Sequence, residues 1–345
     1  MVERPIRTAL IGCGGSGRRW TRAAPSGLAI RVFADIDVDR AGAFAAEFGG
    51  QAAQVDAVVG DPNIEAVIIA TPHNTHPRLV ADAVAAGKHV VVDPPLTTTA
   101  PSARRLADDI RAAGVQVFLG LYLRYAPCVA MARRLLPQPS FAHGHALHDP
   151  PPEGSWRRDL VAGGGPMWYW GIHMLDLVCE LMGVAPDRVF ANGGGVTRGD
   201  ASLPDTAMVT MQFGGGRFAA LAVSEPGAPP HVGPLFLEMT DGTRAIQLWE
   251  GLMRGSARGF AADGDLPQKN LLPDLDQSDE RPFTGAALAP EDPDGSRALL
   301  SAFATAIRTG IAPAGAPDVE AGVRATALAR AVLGSLHQGQ PRRVT

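Results

Sequence analysis

The sequence has little net charge and few cysteines, and each shortage excludes a class of protein. Its 31 Lys and Arg residues nearly balance 35 Asp and Glu residues, so the formal net charge is −4. Binding to a phosphate polymer needs an excess of basic residues, and we therefore expect no nucleic-acid partner. The three cysteines, Cys13, Cys128 and Cys179, are far apart in the sequence. Neither a disulfide framework nor a CxxC metal or redox motif can be built from them, which favours a reducing compartment.

Long apolar runs are also lacking. No run approaches the ~18 residues of a membrane span, and residues 1–7 lead directly into a predicted strand without the apolar region of a secretory signal. We therefore expect a cytoplasmic protein that does not contact a membrane. Hydrophobic residues make up 46% of the chain and charged residues 19%, a balance typical of a folded protein. A chain of 345 residues exceeds what one core usually supports, so two domains are predicted.

The first predicted domain, residues 1–121, alternates short β-rich runs with helical patterns. This alternation predicts βαβ units and a doubly wound parallel sheet, the α/β Rossmann class. The predicted strands are residues 6–11, 29–34, 66–70, 89–92 and 115–119, and the predicted helices are residues 39–48, 76–86 and 101–113. Thr98 or Thr99 is expected to cap the last helix, and Gly114 is expected to end it.

The second predicted domain, residues 122–345, has a different pattern. Glycines 163–165 open a helix-like segment, and residues 205–213, 217–224 and 235–239 alternate as antiparallel strands do. Residues 255–296 are rich in Gly, Pro and Asp and predict a long surface excursion. Two helices, 297–308 and 319–337, close the chain. The domain is predicted to be α+β with an open, mainly antiparallel sheet.

A glycine-rich loop follows the first predicted strand. Gly12, Gly14 and Gly17 satisfy G-x-G-x-x-G at a strand-to-helix turn, with Gly15 and Ser16 between them. Such a loop lets the backbone approach a diphosphate at a helix N-terminus. The second strand leads to Asp35, where a carboxylate can accept hydrogen bonds from an adenosine ribose.

These features predict NAD as the cofactor, while the nearby Arg40 leaves NADP possible. The alternative is a structural turn followed by an unrelated acidic residue.

Further motifs follow in a consistent order. They are Ala34-Asp35-Ile36-Asp37, Ala70-Thr71-Pro72-His73-Asn74-Thr75-His76, Gly87-Lys88-His89-Val90, Leu123-Arg124-Tyr125-Ala126-Pro127, Gly163-Gly164-Gly165 and Gly171-Ile172-His173-Met174-Leu175-Asp176. In the order and spacing of these motifs, nearly the whole chain resembles the Gfo/Idh/MocA family of sugar and polyol oxidoreductases. The resemblance implies an N-terminal NAD(P) domain and a C-terminal domain whose sheet carries the substrate and often an oligomer interface. It also implies that the cofactor is contacted by Thr71, Pro72, His73, His76, Asp93 and Pro94. For His73 and His76 the local alternative is capping of the following helix.

The sequence departs from the family pattern at two positions. The family usually has Glu-Lys-Pro after the fourth main strand, with the lysine as proton shuttle, but this chain has Asp93-Pro94-Pro95. Proline has no titratable group and cannot carry a proton. The family commonly places an aspartate four residues before His173, where this chain has Tyr169. Two of the usual three catalytic side chains are therefore replaced.

The remaining catalytic candidates are Tyr169, His173 and Asp176. On an α-helix their spacing places them on one stripe. We expect His173 to move the proton that accompanies hydride transfer, because its pKa suits neutral pH. Tyr169 would polarise a carbonyl, and Asp176 would orient the imidazole. The alternatives are a structural histidine bonded to backbone and a tyrosine that packs beside Trp168 and Trp170.

Aromatic and basic residues near these motifs are candidates for substrate binding. Tyr122, Trp156 and Trp170 would form an aromatic wall for a sugar ring, or else pack in a domain-interface core. Arg124, Arg157 and Arg158 could each hold a carboxylate or phosphate through forked hydrogen bonds. Adjacent arginines are more often solvated charges, so Arg124 is the preferred candidate.

A cluster of histidines also invites a metal interpretation. His143 and His145 would share a strand face, with His148 beyond them. No distant ligand is identifiable, and the fold's redox chemistry needs no metal, so we expect none.

Together these features predict an NAD-dependent oxidoreductase that acts on a hydroxyl or carbonyl carbon of a small sugar-like or cyclic molecule, in a homo-oligomer. One alternative is a family member repurposed for elimination, hydrolysis or isomerisation, with NAD retained. Another is a catalytically silent sensor that binds dinucleotide. The replacement of the lysine by Pro94 is what raises both alternatives.

Overall fold

A computed structural model describes residues 4–196, 204–225, 227, 233–259 and 281–344. The chain forms two compact units, Met1–Leu121 with Ser296–Thr326, and Tyr122–Gly295 with Ala327–Thr345. The sequence-based boundaries placed residues 296–326 in the second domain, and the structure places them in the first. The physical reason is packing: the Phe303 ring lies 5.4 Å from the Phe118 ring, and Leu119 N donates to Pro317 O at 2.6 Å.

The first unit is built on a parallel sheet. Its strands are β1 (Ile6–Ile11), β2 (Leu28–Ala34), β3 (Gln51–Ala53), β4 (Ala66–Ile69), β5 (His89–Val92) and β6 (Val117–Leu119). The spatial order is β3-β2-β1-β4-β5-β6, and every neighbouring pair is parallel. This order reverses direction between β1 and β4, which is the switch point where doubly wound sheets bind ligands. The predicted Rossmann class is confirmed.

Apolar side chains bury the central strands of this sheet on both faces. The residues of β4 are all fully buried, as are Val90, Val91 and Val92 of β5, which is the pattern of a parallel sheet covered by helices. Burying one Val or Ile side chain stabilises a fold by about 1.5–3 kcal/mol. The covering helices are Gly15–Ala23, Val38–Phe48, Val55–Gly60, His76–Ala85, Ala100–Ala113 and Ser296–Thr309.

Local signals account for some of the boundaries and fail at others. Gly114 ends the helix Ala100–Ala113 with φ of 67°, as predicted. Thr99 occupies the position before that helix, but its side chain makes no capping hydrogen bond. Instead Thr97 Oγ1 accepts from Thr99 N at 3.2 Å. The short strand β3 and the helix Val55–Gly60 had no predicted counterpart, because segments this short have too few residues to show a period.

The second unit contains a mixed sheet. Its strands are β7 (Phe141–Leu147), β8 (Arg188–Gly194), β9 (Thr206–Gln212), β10 (Phe218–Ser224), β11 (Leu235–Thr240), β12 (Ala245–Trp249), β13 (Arg254–Arg258), β14 (Arg281–Thr284) and β15 (Arg342–Arg343). The order is β14-β13-β12-β11-β7-β10-β9-β8-β15. The β7–β10 pair is parallel and the other neighbours are antiparallel, so the mainly antiparallel sheet is confirmed.

The predicted surface excursion over residues 255–296 is wrong at both ends. Strands β13 and β14 pair with each other, and a short helix, Gly285–Leu288, follows them. Residues 260–280 of that segment lie outside the described part of the chain.

The two faces of this sheet differ in exposure. One face is buried and packs against the helix Ile172–Met182, whose side chains are largely buried. The other face carries large apolar side chains that are exposed, among them Phe190, Met208 and Phe218. The helix Val319–Gln338 begins in the first unit and ends in the second, where Ser335 Oγ accepts from Ala191 N at 2.9 Å. In the described residues, no helix has the length and apolarity required to cross a bilayer.

Candidate active site

Steric constraints explain two glycines of the loop after β1. Gly12 has φ of +103°, and a Cβ there would lie 2.3 Å from Ala70 O. A Cβ on Gly17 would lie 2.2 Å from Gly12 O, so only glycine allows the helix Gly15–Ala23 to approach the strand this closely. By contrast, a Cβ on Gly14 or Gly15 would meet no atom within 4 Å. These two glycines leave open backbone at a helix N-terminus, where free amides and the helix dipole favour an anion.

Asp35 is hydrogen-bonded to this loop. Its Oδ2 accepts from Cys13 N at 2.8 Å, and its Oδ1 accepts from Asp37 N at 2.9 Å. Arg40 Nη1 lies 3.4 Å from the same Oδ1. A carboxylate has further lone pairs, so Asp35 can still accept hydrogen bonds from ribose hydroxyls. Burial, with the Asp35 charge adding to it, raises the pKa of the Cys13 thiol to about 12, which keeps that thiol protonated and unreactive.

Asp93, at the end of β5, accepts hydrogen bonds from the helix that follows the glycine loop. Its Oδ2 accepts from Ser16 Oγ, and its Oδ1 accepts from Trp20 Nε1 at 2.8 Å. Ser16 and Asp93 were predicted to contact the cofactor directly, but their side chains bond to each other. The cofactor contacts of Ser16 and Asp93 stay predictions. Pro94, which follows Asp93 and is joined to Pro95 by a cis peptide bond, is buried.

His76 holds two loops together. Its Nδ1 lies 2.8 Å from Pro95 O and its Nε2 lies 2.9 Å from Thr71 O. The ring is fully buried, and this burial lowers its pKa. The side chain has no accessible surface here, and the cofactor contact of His76 stays a prediction. Its role is to position the residues after β4 and β5.

The other residues of the Thr71–His76 turn also bond locally. Thr71 Oγ1 lies 2.7 Å from Thr75 Oγ1, and Thr75 Oγ1 donates to Pro72 O at 2.7 Å. His73 is 3% exposed, and its ring lies 5.7 Å from the His76 ring. The turn is thus rigid, and the cofactor contacts of Thr71, Pro72 and His73 stay predictions.

In the second unit, a π-helical turn carries Tyr169 and precedes the helix that carries His173 and Asp176. The turn covers Met167–Gly171 and leads into the α-helix Ile172–Met182. Hydrogen bonds in a π-helix join residues five apart rather than four. Asp176 lies one α-helical turn beyond His173, and the shared stripe with Tyr169 stays a prediction.

His173 lies among aromatic rings. The Tyr122 ring packs edge-on against it with centroids 5.4 Å apart, and the Trp170 ring lies 5.7 Å away. The side chain is 8% exposed. Tyr122 and Trp170, both predicted as substrate-binding residues, thus flank the imidazole that was predicted to move the proton.

Arg124 has a different partner from the predicted substrate anion. Its Nε donates to Asp176 Oδ2 at 2.7 Å and its Nη2 donates to Asp176 Oδ1, while Nη1 lies 3.3 Å from Glu180 Oε2. Arg133 reaches the same glutamate at 3.3 Å. Because two carboxylates neutralise Arg124, it is a structural cation here, and a substrate contact of its guanidinium stays a prediction. The expected action of Asp176 on His173 stays a prediction.

Arg157 and His148 complete the aromatic cluster. The Arg157 guanidinium carbon lies 3.8 Å from the centroid of the Tyr169 ring and 5.7 Å from that of Trp156. The His148 ring stacks on Trp170 at 4.2 Å with planes 6° apart. Burial, followed by the charge of Arg157, lowers the pKa of His148 to about 4. From the sequence we considered His148 only as a metal ligand and preferred Arg124 to Arg157, although the closeness of both His148 and Arg157 to tryptophans in sequence was a usable signal.

The remaining histidines of β7 interact with the neighbouring strand. His143 Nε2 lies 3.4 Å from Glu238 Oε2, and His145 Nε2 lies 3.3 Å from Gly233 O. The Phe236 ring lies 5.5 Å from that of His145. Each ring therefore has a neighbour on β11 or beside it.

A parallel sheet with a glycine loop and a tethered Asp35 defines a dinucleotide-binding protein. Residues 6–121 match the profile of an oxidoreductase family with an NAD-binding Rossmann fold, and residues 132–240 match the GFO/IDH/MocA C-terminal domain. The chain therefore belongs to the GFO/IDH/MocA oxidoreductase family, and NAD is the cofactor of its Rossmann fold.

Relatives of known activity match part of the chain. It is 29% identical to 1,5-anhydro-D-fructose reductase of Ensifer adhaerens over 62% of this chain and 67% of that protein. It is 25% identical to levoglucosan dehydrogenase of Pseudarthrobacter phenanthrenivorans over 61% of this chain and 65% of that protein. The chain thus spans about two thirds of the length of the curated relatives it matches.

A solved structure of levoglucosan dehydrogenase in complex with NADH has the same fold. The TM-score is 0.85 at 21% sequence identity, over 99% of this chain and 100% of that one.

Proposed function

We propose that this protein is an NAD-dependent oxidoreductase that acts on a hydroxyl or carbonyl carbon of a small sugar-like or cyclic molecule. The observation that carries the proposal is the position of His173, a titratable group enclosed by Tyr122 and Trp170 in a member of an NAD-binding family. The relatives named above, a reductase and a dehydrogenase of anhydro sugars, support the substrate class.

The first unit would hold the cofactor through its backbone. The open amides at Gly14 and Gly15 suit a diphosphate, and the Asp35 carboxylate suits the two hydroxyls of an unphosphorylated ribose. Arg40 is already paired with Asp35 and Asp37, so it offers little to a 2′-phosphate, and we propose NAD rather than NADP. When bound, NAD supplies a site that accepts or donates a hydride.

The second unit would supply the proton chemistry. Pro94 cannot carry a proton, so we assign this role to His173, which takes the proton of a substrate hydroxyl or returns it to a carbonyl oxygen. Tyr122 and Trp170 would offer apolar ring faces to a sugar and keep water from the imidazole. Tyr169 would donate a hydrogen bond to the carbonyl oxygen, and Asp176 would fix the orientation of the helix that carries His173.

The test is a coupled measurement of binding and turnover. The purified protein is mixed with NAD and a panel of anhydro sugars, inositols and aldoses, and the absorbance of reduced nicotinamide is followed. His173→Asn is expected to lower kcat by about 100-fold or more while the Kd for NAD is unchanged. An enzyme that turns over equally well with His173→Asn would contradict the role of this histidine.

Pro94 supports a second candidate function, in which NAD is retained and the net reaction is an elimination, hydrolysis or isomerisation. In that case NAD would co-purify with the protein, and no net change in nicotinamide absorbance would accompany product formation. Retention of NAD without any turnover would instead favour a dinucleotide sensor.

We also propose that a second copy of the chain covers the exposed face of the mixed sheet. Phe190, Met208 and Phe218 are 37%, 54% and 38% exposed on strands β8, β9 and β10, and exposed apolar patches mark association surfaces. Met208→Glu is expected to convert an oligomer into a monomer in sedimentation experiments, and a wild-type monomer would contradict the proposal.

We also propose that the protein acts in the cytoplasm. Its three cysteines are free, which is consistent with a reducing compartment.

A further inference from the structure

Arg157 is held in an unusual manner for a cation. Its guanidinium carbon lies 3.8 Å from the centroid of the Tyr169 ring, and Trp156 lies beside it at 5.7 Å. A guanidinium that stacks on an aromatic ring uses its face for that contact. The N–H donors of a guanidinium lie in its plane, so this contact does not use them, and their forked arrangement matches a planar anion.

The charge of Arg157 is not neutralised by the described residues. None of their carboxylates lies within ion-pairing distance of its side chain, and its buried Nε has no hydrogen-bond partner among them. Arg124 is the contrasting case, since its guanidinium is paired with the carboxylates of Asp176 and Glu180. The buried Nε of Arg157 cannot be reached by a ligand, so an anion would bind the terminal Nη1 and Nη2 donors.

His148 supplies a second buried polar atom in the same cluster. Its ring stacks on Trp170 at 4.2 Å, and its Nε2 is buried without a hydrogen-bond partner in the described part of the chain. Burial and the nearby charge of Arg157 lower the pKa of His148 to about 4. The imidazole is therefore neutral near neutral pH, and Arg157 contributes the positive charge of the cluster.

The cluster is continuous with the surroundings of His173. The Tyr169 ring contacts the Trp170 ring at 5.2 Å, and the same indole lies 5.7 Å from the His173 ring. An anion bound at Arg157 would thus sit beside the aromatic residues proposed to hold the sugar. Its distance from the proton-carrying group would be set by rigid rings rather than by flexible side chains.

We propose that Arg157, assisted by His148, binds a carboxylate on the substrate, so that the preferred substrates are sugar acids rather than neutral sugars. This inference rests on the proposed function and specifies its substrate class. A carboxylate fits better than a phosphate ester because one guanidinium beside a neutral imidazole balances a single negative charge. Bidentate Arg–carboxylate pairing also fixes the orientation of the sugar.

The test compares sugars that differ only at C6. D-Glucuronate and D-galacturonate are compared with D-glucose and D-galactose, at saturating NAD. The wild-type protein is expected to prefer the acids by about 10- to 100-fold in kcat/KM, the range of one charge-assisted hydrogen-bonded pair. Equal or better use of the neutral sugars by the wild type would overturn the proposal.

Two variants and a matched control assign the preference to Arg157. Arg157→Gln should abolish the preference mainly through a higher KM, and Arg157→Lys should restore part of it because the charge returns without the fork. Arg158→Gln is the control, since Arg158 is exposed and its Nε donates to Pro151 O at 2.6 Å. Preference retained in Arg157→Gln, or lost equally in Arg158→Gln, would contradict the assignment.

A binding experiment separates this inference from the proposed function. Titration calorimetry of D-glucuronate into the protein with NADH needs no turnover and gives a Kd for the wild type and for Arg157→Gln. Arg157-dependent binding without redox turnover would sustain the carboxylate site while the oxidoreductase proposal fails. Turnover of neutral sugars without D-glucuronate binding would support the oxidoreductase proposal and contradict the carboxylate site.

Discussion

The backbone amide of Cys13 donates a hydrogen bond of 2.8 Å to Asp35 Oδ2. This bond joins the glycine loop after β1 to the end of β2, the two segments that a dinucleotide would contact. Asp37 N donates to the other carboxylate oxygen at 2.9 Å. Asp35 therefore shapes the loop and presents acceptors to a ribose at the same time.

We predict that Asp35→Ala weakens NAD binding by about 1–3 kcal/mol, through the loss of hydrogen bonds to a charged acceptor. Titration calorimetry measures the change in Kd. Asp37→Ala is the matched control: it removes a helix cap, since Asp37 Oδ1 accepts from Arg40 N at 3.1 Å, and should lower stability by about 1 kcal/mol without changing the Kd. An unaltered Kd in Asp35→Ala would exclude the ribose contact.

Gly17 and Gly14 should respond differently to a methyl group. In Gly17→Ala the new Cβ would lie 2.2 Å from Gly12 O, so the helix must move away, and we expect a loss of stability of about 1–3 kcal/mol. In Gly14→Ala the Cβ meets no protein atom within 4 Å, so the Tm should be unchanged while the Kd for NAD rises. Thermal unfolding and calorimetry on both variants check this, and a normal Tm for Gly17→Ala would refute the steric argument.

The parts of the site that follow from local backbone chemistry were predictable. The loop around Gly12 and Gly17, the carboxylate at Asp35 and the positions of β1 and β5 all depend on residues near one another in the sequence. The parallel sheet follows from the same patterns, because βαβ units allow few topologies.

What could not be predicted depends on contacts between distant residues or on local departures from regular geometry. The pairing of Arg124 with Asp176 joins residues 52 apart in the chain, so the charge of Arg124 looked available. The π-helical turn at Met167–Gly171 is a local departure from regular helix geometry that no periodic pattern predicts. The adjacent Arg157 and Arg158 look equivalent in the sequence, but the fold stacks Arg157 on Tyr169 and leaves Arg158 exposed.

The buried pair of Arg124 and Asp176 should be important for stability. Both side chains are 6% exposed, and removing one partner leaves an uncompensated buried charge, which costs about 3–5 kcal/mol. We therefore predict that Arg124→Met lowers the free energy of unfolding by this amount in urea titrations. Arg133→Met is the control, because the Arg133 side chain is half exposed and its ion pair is with Glu180, at 3.3 Å. This substitution should change stability by less than about 1 kcal/mol. Equal effects of the two substitutions would contradict the assignment of Arg124 as a structural cation.

The depressed pKa of His148 predicts a dependence of stability on pH. Burial lowers this pKa from 6.5 to about 4 in the folded protein. Between these values the unfolded chain binds a proton that the folded chain does not, so acidification favours unfolding. Protonation of His148 costs no stability above pH 6.5, and stability is lost as the pH falls toward 4. The whole shift corresponds to a loss of about 3 kcal/mol. His148→Gln, which cannot titrate, should flatten the curve of unfolding free energy against pH in this range. His89 and His145, whose pKa values burial also lowers, should preserve a residual slope. A His148→Gln curve parallel to that of the wild type would contradict this prediction, because it would show that the imidazole becomes positively charged in the folded protein as readily as in the unfolded chain.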